Sequence, residues 1–114
     1  MDKTTIAGAM QWILHTLKSN FPDAKIIFVS VHKMASRKYD RQVAFHSLCQ
    51  DICNKYSIPV ADIFNKGNLN TFFEGHHKYT NATDSMPNGD TTHPKEEGYI
   101  KFYLPLIYDV LINI

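Results

Sequence analysis

The chain has 114 residues, enough for one domain with a hydrophobic core but not for two. Hydrophobic residues make up 44% and charged residues 20%, as in ordinary globular proteins, and the formal net charge of +1 favours neither nucleic acid nor an anionic membrane as a partner. No apolar run reaches the roughly 18 residues of a membrane span. No secretory signal opens the chain, so we expect a cytoplasmic location by default.

The first predicted elements are a helix and a strand. Thr4 or Thr5 can cap the helix, and Phe21-Pro22-Asp23 ends it. The run from Ala24 to Val31 is apolar, rich in β-branched residues and without alternation, which is typical of a strand buried on both faces in a parallel sheet. The predicted buried stripe of the helix consists of Ile6, Ala9, Met10, Ile13, Leu14 and Leu17.

A basic connection, His32–Asp40, follows and is predicted to be a solvated loop. A second apolar stripe at helical spacing comes next, and Ile58–Phe64 then reads as a short strand. Cys49 and Cys53 share one face of the second helix, which favours two buried thiols over a disulfide, with a metal or redox role as the alternative. The stripe consists of Phe45, Leu48, Cys49, Ile52, Cys53 and Tyr56.

Residues Asn65–Thr92 show almost no periodicity, and a loop of this length in a small domain is usually functional or partly disordered. The last helix is predicted from Pro94 or Lys95 to Asn113, with Pro94 at its first position and a kink at Pro105. Its predicted buried side consists of Tyr99, Phe102, Tyr103, Leu106, Ile107, Val110 and Leu111.

The predicted order is helix, strand, helix, strand, long loop, helix, which indicates an α/β fold with parallel strands in one sheet. Ligands of such sheets bind at the carboxyl ends of the strands. The connections after both strands leave from that edge, and the second of them carries Asp90 and His93. We therefore expect Asp90 and His93 to lie on the functional rim.

Asp90 and His93 have the spacing of an Asp-x-x-His pair. Histidine can take a proton from a hydroxyl nucleophile near neutral pH, and a carboxylate on its second ring nitrogen fixes the tautomer. The alternative is structural, with Asp90 capping the following helix and His93 lying on the surface. A zinc site formed by His76, His77, His93 and Asp90 is a further alternative, although adjacent loop histidines usually point apart.

The sequence Asp90-Thr91-Thr92-His93-Pro94, followed by Gly98-Tyr99 and an apolar helix, resembles the last motif block of the SGNH hydrolases, also called the GDSL esterase/lipase family. Gly8-Ala9, Phe21–Phe28 and Ile58–Asp62 extend the likeness, so that residues 1–114 as a single domain resemble the C-terminal half of such an enzyme. The resemblance implies a partial flavodoxin-like, three-layer α/β/α fold whose N-terminal strands are missing.

The resemblance also implies a function. His93 would be the general base and Asp90 its orienting acid, in a cofactor-free hydrolysis of an acyl ester on a sugar or lipid. The family's Gly-Asp-Ser and Gly-x-Asn-Asp blocks are absent. Ser30 lies in the predicted buried strand, Ser36 and Ser47 are predicted on the surface of a loop and a helix, and Ser85 lacks the strand-to-helix turn that exposes a nucleophile. We therefore expect the chain to be inactive alone, and either to self-associate or to need the missing N-terminal half. The alternative function is a non-catalytic binding or assembly module within a larger structural or surface protein.

Overall fold

A pair of short parallel strands lies at the centre of the computed structural model, which describes residues 1–114. Strand β1 (Phe28–Val29) pairs with β2 (Val60–Ala61), with Phe28 opposite Val60 and Val29 opposite Ala61. Parallel strands need a long crossover, and helix α2 (Tyr39–Lys55) provides it. The predicted α/β class with parallel strands is confirmed at this level.

The first strand is shorter and more exposed than predicted. The N–H groups of Phe28 and Ser30 donate to the carbonyls of Pro59 and Ala61 at 3.0 and 3.1 Å. The sheet has only two strands, so the other edge of β1 has no neighbour. Residues 26–29 are half-buried and Val31 is 45% exposed. Both faces of β1 have packing partners, as predicted, since Phe28 packs against the cluster around Leu14 and Val29 against the cluster around Tyr103. The strand is not fully buried because its second edge is open.

Helix α1 (Ile6–Asn20) begins as predicted, with the Thr5 side chain accepting the N–H of Gly8 at 3.0 Å. Only part of its apolar stripe packs against the rest of the protein. Leu14 is buried, whereas Ile6 and Ile13 are 63% and 49% exposed. The predicted buried stripe is thus wrong at these two positions.

The core consists of two hydrophobic clusters. The first lies between α1 and α2 and contains Leu14, Ile52, Cys53 and Ile58, and the second contains Ile63, Leu69, Tyr79 and Tyr103. Both cysteines are free and buried, as predicted. Burial, together with the neighbouring Cys49, raises the pKa of the Cys53 thiol to about 11. Cys53 therefore stays a neutral, packed thiol near neutral pH.

The long connection after β2 has a defined structure. A short helix α3 (Ile63–Lys66) begins at Asp62, whose carboxylate accepts the N–H of Asn65 at 3.0 Å. A 3-10 helix (Glu74–Tyr79) follows, and isolated bridges pair Lys33 with Asn70 and Thr80 with Pro94. These bonds fix the segment before Asp90 against the rest of the chain.

The last helix is divided into three parts, and its irregular turn lies close to Pro105, where the sequence predicts a kink. It runs as α4 (Glu96–Gly98), a π-helical turn (Tyr99–Tyr103) and α5 (Leu104–Ile112). Proline has no N–H to complete an i→i−4 bond, and the wider turn ends two residues before Pro105. Pro94 precedes the cap residue Lys95, so it is not the first helical residue. Tyr99 and Leu111, predicted as buried, are each 49% exposed.

None of the helices combines the length and the apolar character needed to span a bilayer.

Candidate functional site

Asp90 and His93 form a close pair. Asp90 Oδ2 lies 2.6 Å from His93 Nδ1. Asp90 Oδ1 accepts the backbone N–H groups of Thr92 and His93, both at 2.9 Å. The Asp90 side chain is 14% exposed and the His93 side chain 72%. The carboxylate is therefore held by three hydrogen bonds, while the outer part of the imidazole faces solvent.

The charge state of Asp90 decides the tautomer of His93. Burial raises the pKa of Asp90, but hydrogen bonds from the His93 backbone, the His93 ring and Thr92 outweigh it and leave that pKa below its ordinary value. An ionised carboxylate only accepts hydrogen bonds, so the proton of a neutral His93 lies on Nδ1. The lone pair on Nε2 is then available to an incoming acid.

The backbone around Asp90 adopts conformations that are rare for most residues. Gly89 has φ 122° and Thr91 has φ 69°. Asn81 anchors the segment from outside, because its carbonyl accepts the N–H of Asp90 and its N–H donates to the carbonyl of His93, both at 2.8 Å. Thr91 N–H donates to Thr80 Oγ1 at 3.0 Å. Bonds to residues about ten positions earlier thus hold the turn.

Fully buried His32 is a site residue that the sequence interpretation missed. Its Nε2 lies 3.2 Å from the carbonyl of Thr91, and its Nδ1 lies 2.7 Å from the hydroxyl of Tyr103. The prediction that His32–Asp40 is a solvated loop is therefore wrong for His32. The available signal was its place directly after an apolar strand, at the edge where ligands bind.

Hydrogen-bond geometry assigns the tautomer of His32. The Thr91 carbonyl can only accept, so Nε2 carries the ring proton and donates to it. Nδ1 of the neutral ring is then an acceptor, and the Tyr103 hydroxyl, which accepts the backbone N–H of His32 at 3.0 Å, donates its own proton to Nδ1. Burial lowers the pKa of His32, although the Thr91 carbonyl and the charge of Asp90 raise it. Burial also raises the pKa of Tyr103 to about 12.

The lowered pKa of His32 predicts a dependence of stability on pH. In the unfolded chain His32 takes up a proton at about pH 6.5, whereas the folded state resists protonation. The unfolded state thus binds more protons below that pH, and the free energy of unfolding should fall as the solution is acidified. Urea unfolding between about pH 5 and 7 should show a shallower pH slope in His32→Gln than in the unchanged chain. An unchanged slope would contradict this prediction, and His15→Gln, at an exposed position, is the control.

No serine hydroxyl is hydrogen-bonded to His93. Ser30 is buried in the sheet, where its Oγ accepts the N–H of Phe64 at 3.1 Å. Ser36 is exposed, with its Oγ 2.6 Å from Thr92 Oγ1. Ser47 and Ser85 are also exposed. None of these serines is therefore placed to act as a nucleophile activated by His93.

The zinc alternative does not fit the positions of the loop histidines. His76 Nδ1 accepts the N–H of Asn70 at 3.0 Å, and His77 Nε2 lies 2.8 Å from the carbonyl of Thr71. No group of three or more histidine, cysteine or acidic side chains is placed to hold a metal ion. Among the aromatic residues of the same segment, Phe72 and Phe73 are 47% and 65% exposed, whereas Tyr79 is buried.

An apolar cavity of about 330 Å³, here called the β1 groove, lies beside the open edge of β1. Phe28–Val31 and the α2 residues Phe45 and Cys49 line it, and Arg37 and Arg41 add positive charge. His46, which lines this groove, belongs to a second histidine–carboxylate pair, with its Nε2 3.2 Å from Asp62 Oδ1. The His46 ring stacks on Phe64 at 5.0 Å between centroids, so packing fixes its orientation.

Comparison with known proteins shows a similar fold but identifies no family. No protein-family model matches the chain. No curated protein matches it either. A solved crystal structure is similar to it, with a TM-score of 0.72 and 23% sequence identity. The match covers 95% of this chain and 52% of the other, so this chain spans about half the length of that structure.

Proposed function

We propose that this chain supplies the general base and the orienting acid of an SGNH-type serine esterase, within one half of a flavodoxin-like α/β/α fold. The observation that carries the proposal is the 2.6 Å contact between Asp90 Oδ2 and His93 Nδ1. The other Asp90 oxygen is occupied by two backbone N–H groups, and the His93 side chain is 72% exposed. A hydrolase needs this arrangement in its base, held on one side and open on the other.

In the proposed mechanism, His93 Nε2 takes the proton of a serine hydroxyl as that oxygen attacks the ester carbonyl. The imidazolium that forms is stabilised by the Asp90 carboxylate. His93 then gives the proton to the departing alcohol, and a second cycle with water releases the acid. The substrate class is an acyl ester of a sugar or lipid, and the chemistry requires no cofactor.

The proposed enzyme takes its nucleophile from polypeptide outside residues 1–114. This is supported by the lack of any serine hydrogen-bonded to His93 and by the roughly twofold greater length of the similar structure. The open edge of β1 is a suitable place for such a partner. Phe28 and Ser30 direct their N–H groups to β2, so Val29, between them, directs its N–H and carbonyl toward the open side.

A chimera tests the proposal. This chain would be joined behind the N-terminal half of an SGNH esterase that carries the Gly-Asp-Ser block, and hydrolysis of 4-nitrophenyl acetate would be followed. We expect saturable turnover from the chimera and none from residues 1–114 alone. A chimera that is folded by circular dichroism but inactive, when the parent esterase is active, would contradict the proposal. So would turnover by the lone chain that survives His93→Ala.

The second candidate function is a binding or assembly module, and the exposed β1 groove favours it. Val31 and Phe45 are each 45% exposed, and open apolar strand edges promote association. We expect the isolated chain to self-associate at high concentration, as measured by light scattering. Phe45→Glu should shift it toward monomer, whereas Phe21→Glu, at a 59% exposed position outside the groove, should not. A concentration-independent monomer would count against any role for the groove in association.

A further inference from the structure

Three residues distant in sequence meet behind the Asp90–His93 pair. The Tyr103 hydroxyl, at the end of the π-helical turn, contacts both the backbone N–H and the ring Nδ1 of His32. His32 Nε2 in turn reaches the carbonyl of Thr91. The three residues are respectively 6% exposed, fully buried and 3% exposed, so water does not compete for these bonds. Together they are here called the Tyr103–His32–Thr91 brace.

Thr91 is the residue that gives the turn its shape. It has φ 69°, a left-handed conformation that a β-branched residue rarely adopts. Its carbonyl accepts bonds from His32 Nε2 at 3.2 Å and Thr71 Oγ1 at 2.7 Å, and its N–H is bonded to Thr80. This reversal at Thr91 allows Asp90 Oδ1 to accept the N–H groups of Thr92 and His93.

We infer that His32 is a positioning residue that acts through Thr91 to hold Asp90 and His93 in register. The catalytic meaning of this role rests on the proposed function, whereas the positioning itself is a property of the fold. The ring suits the task because its two nitrogens bond in opposite directions, one accepting from the last helix and one donating to the turn. His32 thus connects the end of β1, the π-helical turn and the loop that carries the pair.

Two substitutions separate the two bonds of His32. Glutamine places an amide nitrogen near the position of Nε2 and can keep the bond to Thr91. Asparagine places an oxygen near the position of Nδ1 and can keep the bond from Tyr103. Each variant loses one buried hydrogen bond, so both should lower the melting temperature to a similar extent. Only the bond to Thr91 is expected to affect His93.

Nitrogen-15 NMR of the histidine rings provides the test. In the unchanged chain, His93 should favour the Nδ1–H tautomer by roughly tenfold or more, as expected for a hydrogen bond to a charged group. His32→Gln should keep this preference, and His32→Asn should bring it toward parity. Tyr108→Phe is the control. Tyr108 lies in α5, beyond the π-helical turn that carries Tyr103, and is 62% exposed, so this substitution should change neither the tautomer nor the stability.

The inference would be overturned if both His32 variants kept the unchanged His93 tautomer, because His32 would then serve only stability. Loss of folding in both, where Tyr108→Phe stays folded, would also overturn it, since the brace would then be required for the fold itself. The measurement needs no nucleophile. Its failure can therefore be distinguished from a failure of the chimera to hydrolyse esters.

Discussion

Replacing His93 by alanine in the chimera should lower kcat/KM for 4-nitrophenyl acetate by roughly 10²–10⁴-fold, the usual contribution of a general base. The His93 ring is 72% exposed and its only side-chain bond is to Asp90, so the fold should be little affected. Circular dichroism should therefore be unchanged. His15→Ala, at an exposed position on α1, is the matched control and should retain full activity.

Asp90→Asn tests the same pair without removing the ring. The asparagine oxygen can still accept the two backbone N–H groups that bond to Asp90 Oδ1. Its amide group would face His93 Nδ1 as a donor, so Nδ1 would become the acceptor and the proton would move to Nε2. Nε2 could then no longer act as a base. We expect a loss of activity approaching that of His93→Ala, and an active Asp90→Asn chimera would contradict the proposed roles.

Gly89→Ala should cause the largest loss of stability of any small substitution near the site. Gly89 has φ 122°, and a β-carbon there would lie 1.9 Å from the carbonyl oxygen of His77 and 2.4 Å from Thr80 Oγ1. Neither the backbone conformation nor the space admits a side chain. We expect the free energy of unfolding in urea to fall by about 3 kcal/mol or more, a large part of the stability of a small domain.

Gly75→Ala is the matched control for this prediction. A β-carbon at Gly75 would meet nothing within 4 Å. The substitution should change the free energy of unfolding by no more than about 0.5 kcal/mol. Equal effects of the two substitutions would show that the turn before Asp90 can rearrange, and would remove the basis for assigning it a fixed geometry.

Local sequence patterns predicted the parts of this structure that depend on local interactions. Thr5 caps α1 through a residue three positions away, and Asp90 meets His93 within one turn. Parallel strands followed from the order of the elements. What failed depends on distant surfaces. Ile6 and Ile13 have the spacing of buried residues, but burial also requires an opposing surface, and no periodicity reports whether one exists.

His32 illustrates the same limit within the candidate site. Its partners Thr91 and Tyr103 lie 59 and 71 positions further along the chain. A histidine after a strand is compatible with a solvated loop until those partners are known. The π-helical turn was also not predictable in detail, since Pro105 indicates a disturbance of the helix but does not specify how the preceding turn adjusts.

The two hydrogen bonds of Asn81 have a consequence for how this protein can change over evolution. They join Asn81 to Asp90 and His93 at 2.8 Å each, and residues 82–88 between them are all exposed. Doubling the length of a flexible loop costs only about 0.6 kcal/mol when its ends are already fixed. Insertions between Asn81 and Thr83 should therefore cost little stability, because they leave the hydrogen-bonded turn of Thr83 and Met86 intact. Such insertions would change the exposed surface next to the site, while the bonds of Asn81 keep Asp90 and His93 in place.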